Sequence, residues 1–181
     1  MHYNFPRIGG VKRDLPYGFA QRARAKLDLF KQRIQEYESL FDESTVFLVR
    51  TQGVGYTKAE EMMNHGVTGP NVRAAGVDYD VRWAHPYSVY SELDWAPAVE
   101  RSSVKGADCY DRYRVRVTEM VESANMVLEA LDRIPGGSET HHEPGDPAII
   151  AKAPSRAPEG TFGSHHFEDS RGESMFHIVG G

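Results

Sequence analysis

Residues 66–95 read GVTGPNVRAAGVDYDVRWAHPYSVYSELDW, and no other stretch departs so far from the pattern of a regular helix or strand. It opens with Gly66, Gly69-Pro70 and Gly76, then runs through Tyr79, Trp83, Tyr87, Tyr90 and Trp95. Between the rings stand Arg73, Asp78, Asp80, Arg82, His85 and Asp94. Glycine permits backbone angles and close approaches that a Cβ forbids, while aromatic rings supply contact area with few rotatable bonds. Two readings fit: a functional or interface surface, or a long surface loop pinned by its own aromatics. In both, the rest of the chain is the scaffold around this segment.

Helical patterns flank it. Across residues 17–41 the apolar side chains Ala23, Leu27, Phe30, Ile34, Tyr37 and Phe41 recur at alternating steps of four and three, the spacing of one helix face. Arg24, Lys31, Gln35 and Glu38 fall opposite, and RARAK at 22–26 reads as a solvated face. One apolar stripe on a long helix requires a second helix to pack against, so a bundle is expected. Asp42-Glu43-Ser44 breaks the pattern, and residues 46–49 fit a strand or a helical turn. Thr57 and Glu60 have the spacing of a capping box opening a short helix over 58–65, with Gly66 as its left-handed C-terminal cap.

Beyond Pro97 a polar connection leads to DCYDRYRVRVTEMVESANMVLEALDRIPGG, residues 108–137. Tyr113, Val117, Met120, Ala124, Val127 or Leu128, and Leu131 line one side at helical spacing, Asp108 is placed to cap the start, and Pro135-Gly136-Gly137 ends the run. This helix and the first are expected to pack antiparallel. Residues 138–160, rich in Pro, Ser and charge, read as a linker or long loop. Within 161–181, Arg171-Gly172-Glu173 reads as a turn before a strand around Met175, Phe176, Ile178 and Val179, an incomplete β segment that needs a pairing partner with none evident downstream. The predicted fold is mainly α: long antiparallel helices, a Gly- and aromatic-rich connecting loop, and a small C-terminal β segment.

Composition bounds the function. The 181 residues suit one domain, and 40% hydrophobic residues are enough for a core. With mean hydropathy −0.53, no long apolar run and no charged-then-apolar signal peptide at the start, the chain is expected neither to span a membrane nor to carry a visible export signal. A net charge of −5 argues against a nucleic-acid partner. Cys109 is the single cysteine, so neither an intrachain disulfide nor a cysteine-held metal or iron-sulfur site can form within the chain. If the protein does redox chemistry, a partner must hold the metal centre.

Local motifs for catalysis are weak. His141-His142 with Glu143, and His165-His166 with Glu168 and His177, invite a metal reading, but adjacent histidines in loops match no recognised ligand spacing, and a structural origin is favoured. Cys109 would need a base such as His85 nearby to act as a nucleophile, and a packed thiol is the favoured role. Asp108, Asp111 and Arg112 are read as a structural charge network between the long helices and the loop. No GxSxG, P-loop or GxGxxG is present.

Longer motifs carry a resemblance. RTQGVGYTKAEEMMNHGVTGPNVRAAGVDYDVRWAHPYSVY (50–90), followed by DCYDRYRVRVTEM (108–120), closely resembles the middle of the D-type subunit of NADH:quinone oxidoreductase, respiratory complex I, a family related to nickel-iron hydrogenase large subunits. MHYNFPRIGGVKRDLP (1–16) resembles the segment before it, so the likeness covers 1–137, while EDSRGESMFHIV resembles the family's Ala-Pro-Arg-Gly-Glu strand with Asp169-Ser170 in place of Ala-Pro. The resemblance implies a central fragment of a peripheral-arm subunit, on the cytoplasmic face of the cell membrane or the matrix side of the inner mitochondrial membrane. Together with an iron-sulfur-bearing small subunit and other peripheral-arm subunits it would form the quinone-reduction cavity, with NAD and the iron-sulfur clusters held by other subunits. It places no catalytic residue and no metal ligand within the chain, because the family's quinone-headgroup histidine and tyrosine lie upstream of the covered region. His2 and Arg7, the latter in the Arg-x-Gly-Gly-Val loop with Gly9, Gly10 and Val11, are the positions it puts near the partner's cluster, His2 as a group coupling reduction to protonation; the plain alternative for His2 is a packed terminal histidine. Two other readings stay open: an energy-converting nickel-iron hydrogenase relative, and a non-catalytic interaction or assembly protein from a truncated gene.

Overall fold

The computed structural model describes residues 6–7, 10–11, 15–99, 106–134 and 157–181. The fold is mainly α with a small C-terminal β segment. In chain order the elements are β1 (Pro6–Arg7), β2 (Gly10–Val11), α1 (Phe19–Asp42), α2 (Thr45–Thr51), β3 (Thr57–Lys58), α3 (Ala59–Asn64), α4 (Pro70–Ala74), α5 (Val81–Ala84), β4 (Gly106–Ala107), α6 (Cys109–Arg133), β5 (Phe162–Asp169) and β6 (Gly172–Val179).

Helices α1 and α6 pack antiparallel: Arg24 near the start of α1 pairs with Asp132 near the end of α6, and Phe41 at the end of α1 meets the Tyr113 ring near the start of α6. The polar face assigned to α1 is corrected in part. Arg24 and Lys31 bridge to α6, Lys31 donating to Asn125 at 2.6 Å. Of the expected stripe only Ile34 is fully buried, joined by Ala20, whereas Phe30, Tyr37 and Phe41 remain exposed.

Residues 46–49 are helical. Ser44 caps α2, its hydroxyl accepting from the Phe47 N–H. The capping box expected at Thr57 does not form, because Thr57 lies in β3 opposite Ala107 of β4, and that ladder takes its backbone out of capping position. The α6 terminus does carry a full box: Asp108 accepts from the Tyr110 and Asp111 N–H groups while the Asp111 side chain accepts from the Asp108 N–H.

The final strand finds its partner upstream. β5 and β6 form an antiparallel hairpin with Asp169 opposite Gly172 and Phe162 opposite Val179. The core gathers Ala59, Met62, Val72, Ala74, Ala75, Ala98, Ala107 and Val115, drawn from α3, α4, the following loop, β4 and α6. It therefore sits under residues 66–98, away from the middle of α1.

Candidate functional site

Helix α4 begins at Gly69, whose φ of 74° lies in the left-handed region, followed by Pro70, which suits a first helical position because its missing N–H would have no partner there. Four of the five α4 residues are buried, including Arg73 at 1% exposure. A guanidinium at that depth is tolerated only when counter-charges and acceptors surround it. Arg73 Nε and Nη2 both donate to Glu119 on α6, Nε at 3.0 Å; Nη1 donates to Glu168 on β5 at 2.9 Å and to the Tyr79 carbonyl at 3.2 Å, and lies 3.0 Å from Asp80 Oδ2. One cation thus joins the loop, the long helix and the hairpin.

Asp80 extends the network. As N-cap of α5 it accepts from the Arg82 N–H, and it holds the Arg82 guanidinium through Nε at 2.9 Å and Nη2 at 2.6 Å. That guanidinium sits 4.8 Å from the Trp95 ring centre and 5.6 Å from that of Tyr90, cation–π distances that use the loop's aromatics as a seat. Trp95 packs edge-on against Trp83 and donates its ring N–H to the Tyr90 carbonyl. Burial disfavours the charge on both arginines, yet carboxylates outweigh it: Glu119, Glu168 and Asp80 raise Arg73 above its ordinary pKa, and Asp80 does the same for Arg82.

Two clefts flank the hairpin. The larger, about 880 Å³, runs between Leu27 and Phe30 of α1, Met120 and Val127 of α6, and Glu168 and Arg171 at the hairpin turn. The smaller, about 530 Å³, is lined by Tyr79, His85, Tyr87, His165, His166 and Glu173. There the Tyr79 hydroxyl donates to Glu173 Oε2 at 2.8 Å, and His166 Nδ1 lies 2.6 Å from Oε1. The bond to Glu173 pushes Tyr79 up to about 12, and the same bond, followed by His166, holds Glu173 below the usual glutamate range. Thr68 accepts the Glu173 N–H, and Tyr87 accepts that of Glu168.

The hairpin can close this tightly because two backbones meet without side chains. A Cβ on Gly172 would fall 2.5 Å from Thr68 Oγ1 and 2.8 Å from the Thr68 carbonyl carbon, and a Cβ on Gly69 would collide with Gly172 Cα. Residues 69–81 therefore form an internal packing surface, whereas most of 83–94, Trp83 and Val89 among them, stays exposed.

His2 lies outside the described residues, and Arg7 is described only through its backbone in β1, opposite Gly10 of β2. His141, His142 and Glu143 also lie outside them. His165 stacks edge-on against Tyr87, so the paired histidines diverge: one contacts an aromatic ring, the other Glu173. Among the described residues no group of three His, Cys, Asp or Glu is arranged to hold a metal ion. Cys109 takes the first turn of α6 with its Sγ 3.4 Å from Arg112 Nη2, and Arg112 also donates to the Ala107 and Gly55 carbonyls. Asp108 accepts the Gly53 N–H as well, so the network expected around 108–112 ties α6 to the 53–55 turn. Burial would raise the Asp108 pKa, but the N–H groups of Gly53, Asp111 and Tyr110 hold it low.

Reading the sequence did not foresee the central part of Arg73 or the contribution of Glu119. The available signal was an arginine embedded in the small-residue run Val72-Arg73-Ala74-Ala75, a composition that suits close packing.

Comparison with known proteins supplies the family. A sequence profile described as "Respiratory-chain NADH dehydrogenase, 49 Kd subunit" matches residues 1–181. The chain is 44% identical over 137 residues to the second D-type NADH-quinone oxidoreductase subunit of Rhizobium etli (strain CIAT 652), covering 76% of this chain and 33% of that protein. It is 45% identical over 144 residues to the D-type NADH-quinone oxidoreductase subunit of Flavobacterium johnsoniae, covering 77% and 33%. Against the chloroplastic H-type NAD(P)H-quinone oxidoreductase subunit of Zygnema circumcarinatum it is 44% identical over 137 residues, covering 76% and 34%. The chain spans about a third of the length of these curated relatives. With residues 50–90 and 108–120 folded into one charge-locked unit and the profile matching from end to end, this chain belongs to the family of the 49 kDa subunit of respiratory-chain NADH dehydrogenase.

Proposed function

We propose that this chain works as part of the D-type subunit of a membrane-associated NADH:quinone oxidoreductase, forming part of the wall of the cavity where quinone is reduced. The observation that carries this reading is the match of all 181 residues to the family, reinforced by relatives whose names are those of quinone oxidoreductase subunits. Those names favour it over the nickel-iron hydrogenase reading. In this proposal the terminal iron-sulfur cluster sits in a small partner subunit, His2 and Arg7 lie on the side facing it, and NAD is bound elsewhere in the complex. Among the described residues no helix is long and apolar enough to cross a membrane, which suits attachment through partner subunits.

The Arg73 network then has a mechanical part. Its donors are taken up by Glu119, Asp80, Glu168 and the Tyr79 carbonyl, so it fixes the loop and hairpin against α6 and leaves the chemistry to partner-held centres. The test is affinity purification of the tagged chain from the cells that make it. NADH-dependent quinone reduction and the paramagnetic signal of a reduced iron-sulfur cluster are expected in the recovered assembly. Recovery free of any iron-sulfur protein would overturn the reading. If it holds, His2→Gln is expected to flatten the pH dependence of the cluster potential.

A further inference from the structure

The Arg73 cluster sets two guanidinium groups, Arg73 and Arg82, against three carboxylates, Asp80, Glu119 and Glu168. Fully ionised, it would bury an excess negative charge, and the hydrogen bonds show where that charge is least supported. Asp80 is completely enclosed, but its oxygens face Arg73, both arms of Arg82 and the Arg82 N–H. Glu119 accepts two arms of Arg73 and keeps a fifth of its side chain in solvent. Glu168 is 3% exposed, its Oε1 accepts from Arg73, and its Oε2 is buried with no hydrogen bond of good geometry, the Val81 N–H adding only the weakest of the influences on the carboxyl. A carboxylate oxygen so poorly satisfied at that depth is far costlier than a neutral hydroxyl in the same place.

We propose that Glu168 is a proton-uptake site: the β5–β6 hairpin seats on α4 with a proton taken from solvent onto Glu168 Oε2, and ionisation of that carboxyl loosens the hairpin. The surroundings agree on direction. Burial and the facing Asp80 push the Glu168 carboxyl up, Arg73 and the Val81 backbone N–H pull it down, and the upward effects win. The remaining charged or titratable groups packed around it are Glu119 from α6, Arg82, Tyr79 and Tyr87 from the loop, and Asp169, Arg171 and Glu173 on the hairpin itself. Asp169 is occupied locally, accepting from the Arg171 N–H and the Ser174 hydroxyl. Because the seated hairpin binds the proton more tightly than the free one, seating is favoured below the seated-state pKa and weakens as pH rises through it. Both clefts share the hairpin as a wall, so a single proton would govern the shape of each.

Carbon-13 NMR of the Glu168 side-chain carboxyl in the full chain, assigned with Glu168→Gln, tests this. The expected midpoint lies above the ordinary 4.5 of glutamate. Glu119→Gln should move it down, because Arg73 is then freed to favour ionised Glu168. Amide protection of the hairpin should fall as pH rises through the Glu168 midpoint in the native chain and stay level in Glu168→Gln. A midpoint at or below 4.5, or the same pH dependence in Glu168→Gln, would overturn the proposal. Should Glu168→Gln fail to fold, the native titration decides it together with the native chain's amide protection, which must fall through the same midpoint.

Discussion

Helix α1 runs for 24 residues with a regular apolar stripe and buries only Ala20 and Ile34; helix α4 runs for five with no periodicity and buries Pro70, Val72, Arg73 and Ala74. Periodicity reports which face of a helix would be buried if something covered it. Coverage itself depends on neighbours, and among the described elements α1 packs chiefly against α6 and α2, along part of its length. Leu40 at 64% exposure and Val49 of α2 at 72% show the consequence. At α4, the loop, α6 and the hairpin converge from different directions, so even an arginine is shut away. In this chain the short irregular segment is the keystone, and the long helix is largely an open surface.

Arg73→Met is the hardest blow to that contrast. It strips the buried carboxylates of their shared cation, and a loss of about 3–5 kcal/mol in chemical denaturation is expected; a loss within error would show that the cluster holds nothing together. Gly172→Ala tests the hairpin seat alone. With φ 136° and Thr68 in the way, it should cost about 2–3 kcal/mol and detach β5–β6 while α1 and α6 keep their helical signal.

Asp108→Ala probes the other end of the architecture. Loss of the α6 cap and of the bond to Gly53 should cost about 1–2 kcal/mol, measured by the same denaturation. Tyr79→Phe removes one bond to Glu173, worth about 1 kcal/mol. The fold prefers the neutral Tyr79 phenol, so its contribution is whole below pH 10 and is lost as pH rises from 10 to about 12. Alkaline unfolding of Tyr79→Phe should lack that component. The smallest effect is expected on the open surface: Leu40→Gln with Val49→Gln should change stability by no more than about 0.5 kcal/mol. The same pair should reduce self-association of the isolated chain by light scattering, since exposed apolar area drives it.

The long helices were legible because their apolar spacing and the Asp108 cap are local signals, and α6 starts where they indicate. The short α3 was legible too, although Thr57 does not cap it: the β3–β4 pairing takes that residue, and a ladder with a segment 50 residues away leaves no mark in the capping motif. The hairpin was half legible. A turn was expected at 171–173 and falls at 170–171, with Gly172 and Glu173 already in β6, while β5 carries His165, His166, Glu168 and Asp169, a composition that reads as loop until β6 is laid beside it. Residues 66–95 announced their importance through glycine and aromatic content without saying what they would touch.

Local chemistry along the chain thus determined the helices, their antiparallel pairing and the family, because spacing, capping and long ordered motifs are properties of neighbours in sequence. Tertiary structure alone decided that Arg73 would be buried and that Glu119 and Glu168, 46 and 95 residues away, would neutralise it. It also left one oxygen of Glu168 without a hydrogen bond of good geometry. A charge becomes stabilising or costly according to the solvent and the counter-charges around it, and only the folded chain sets those distances.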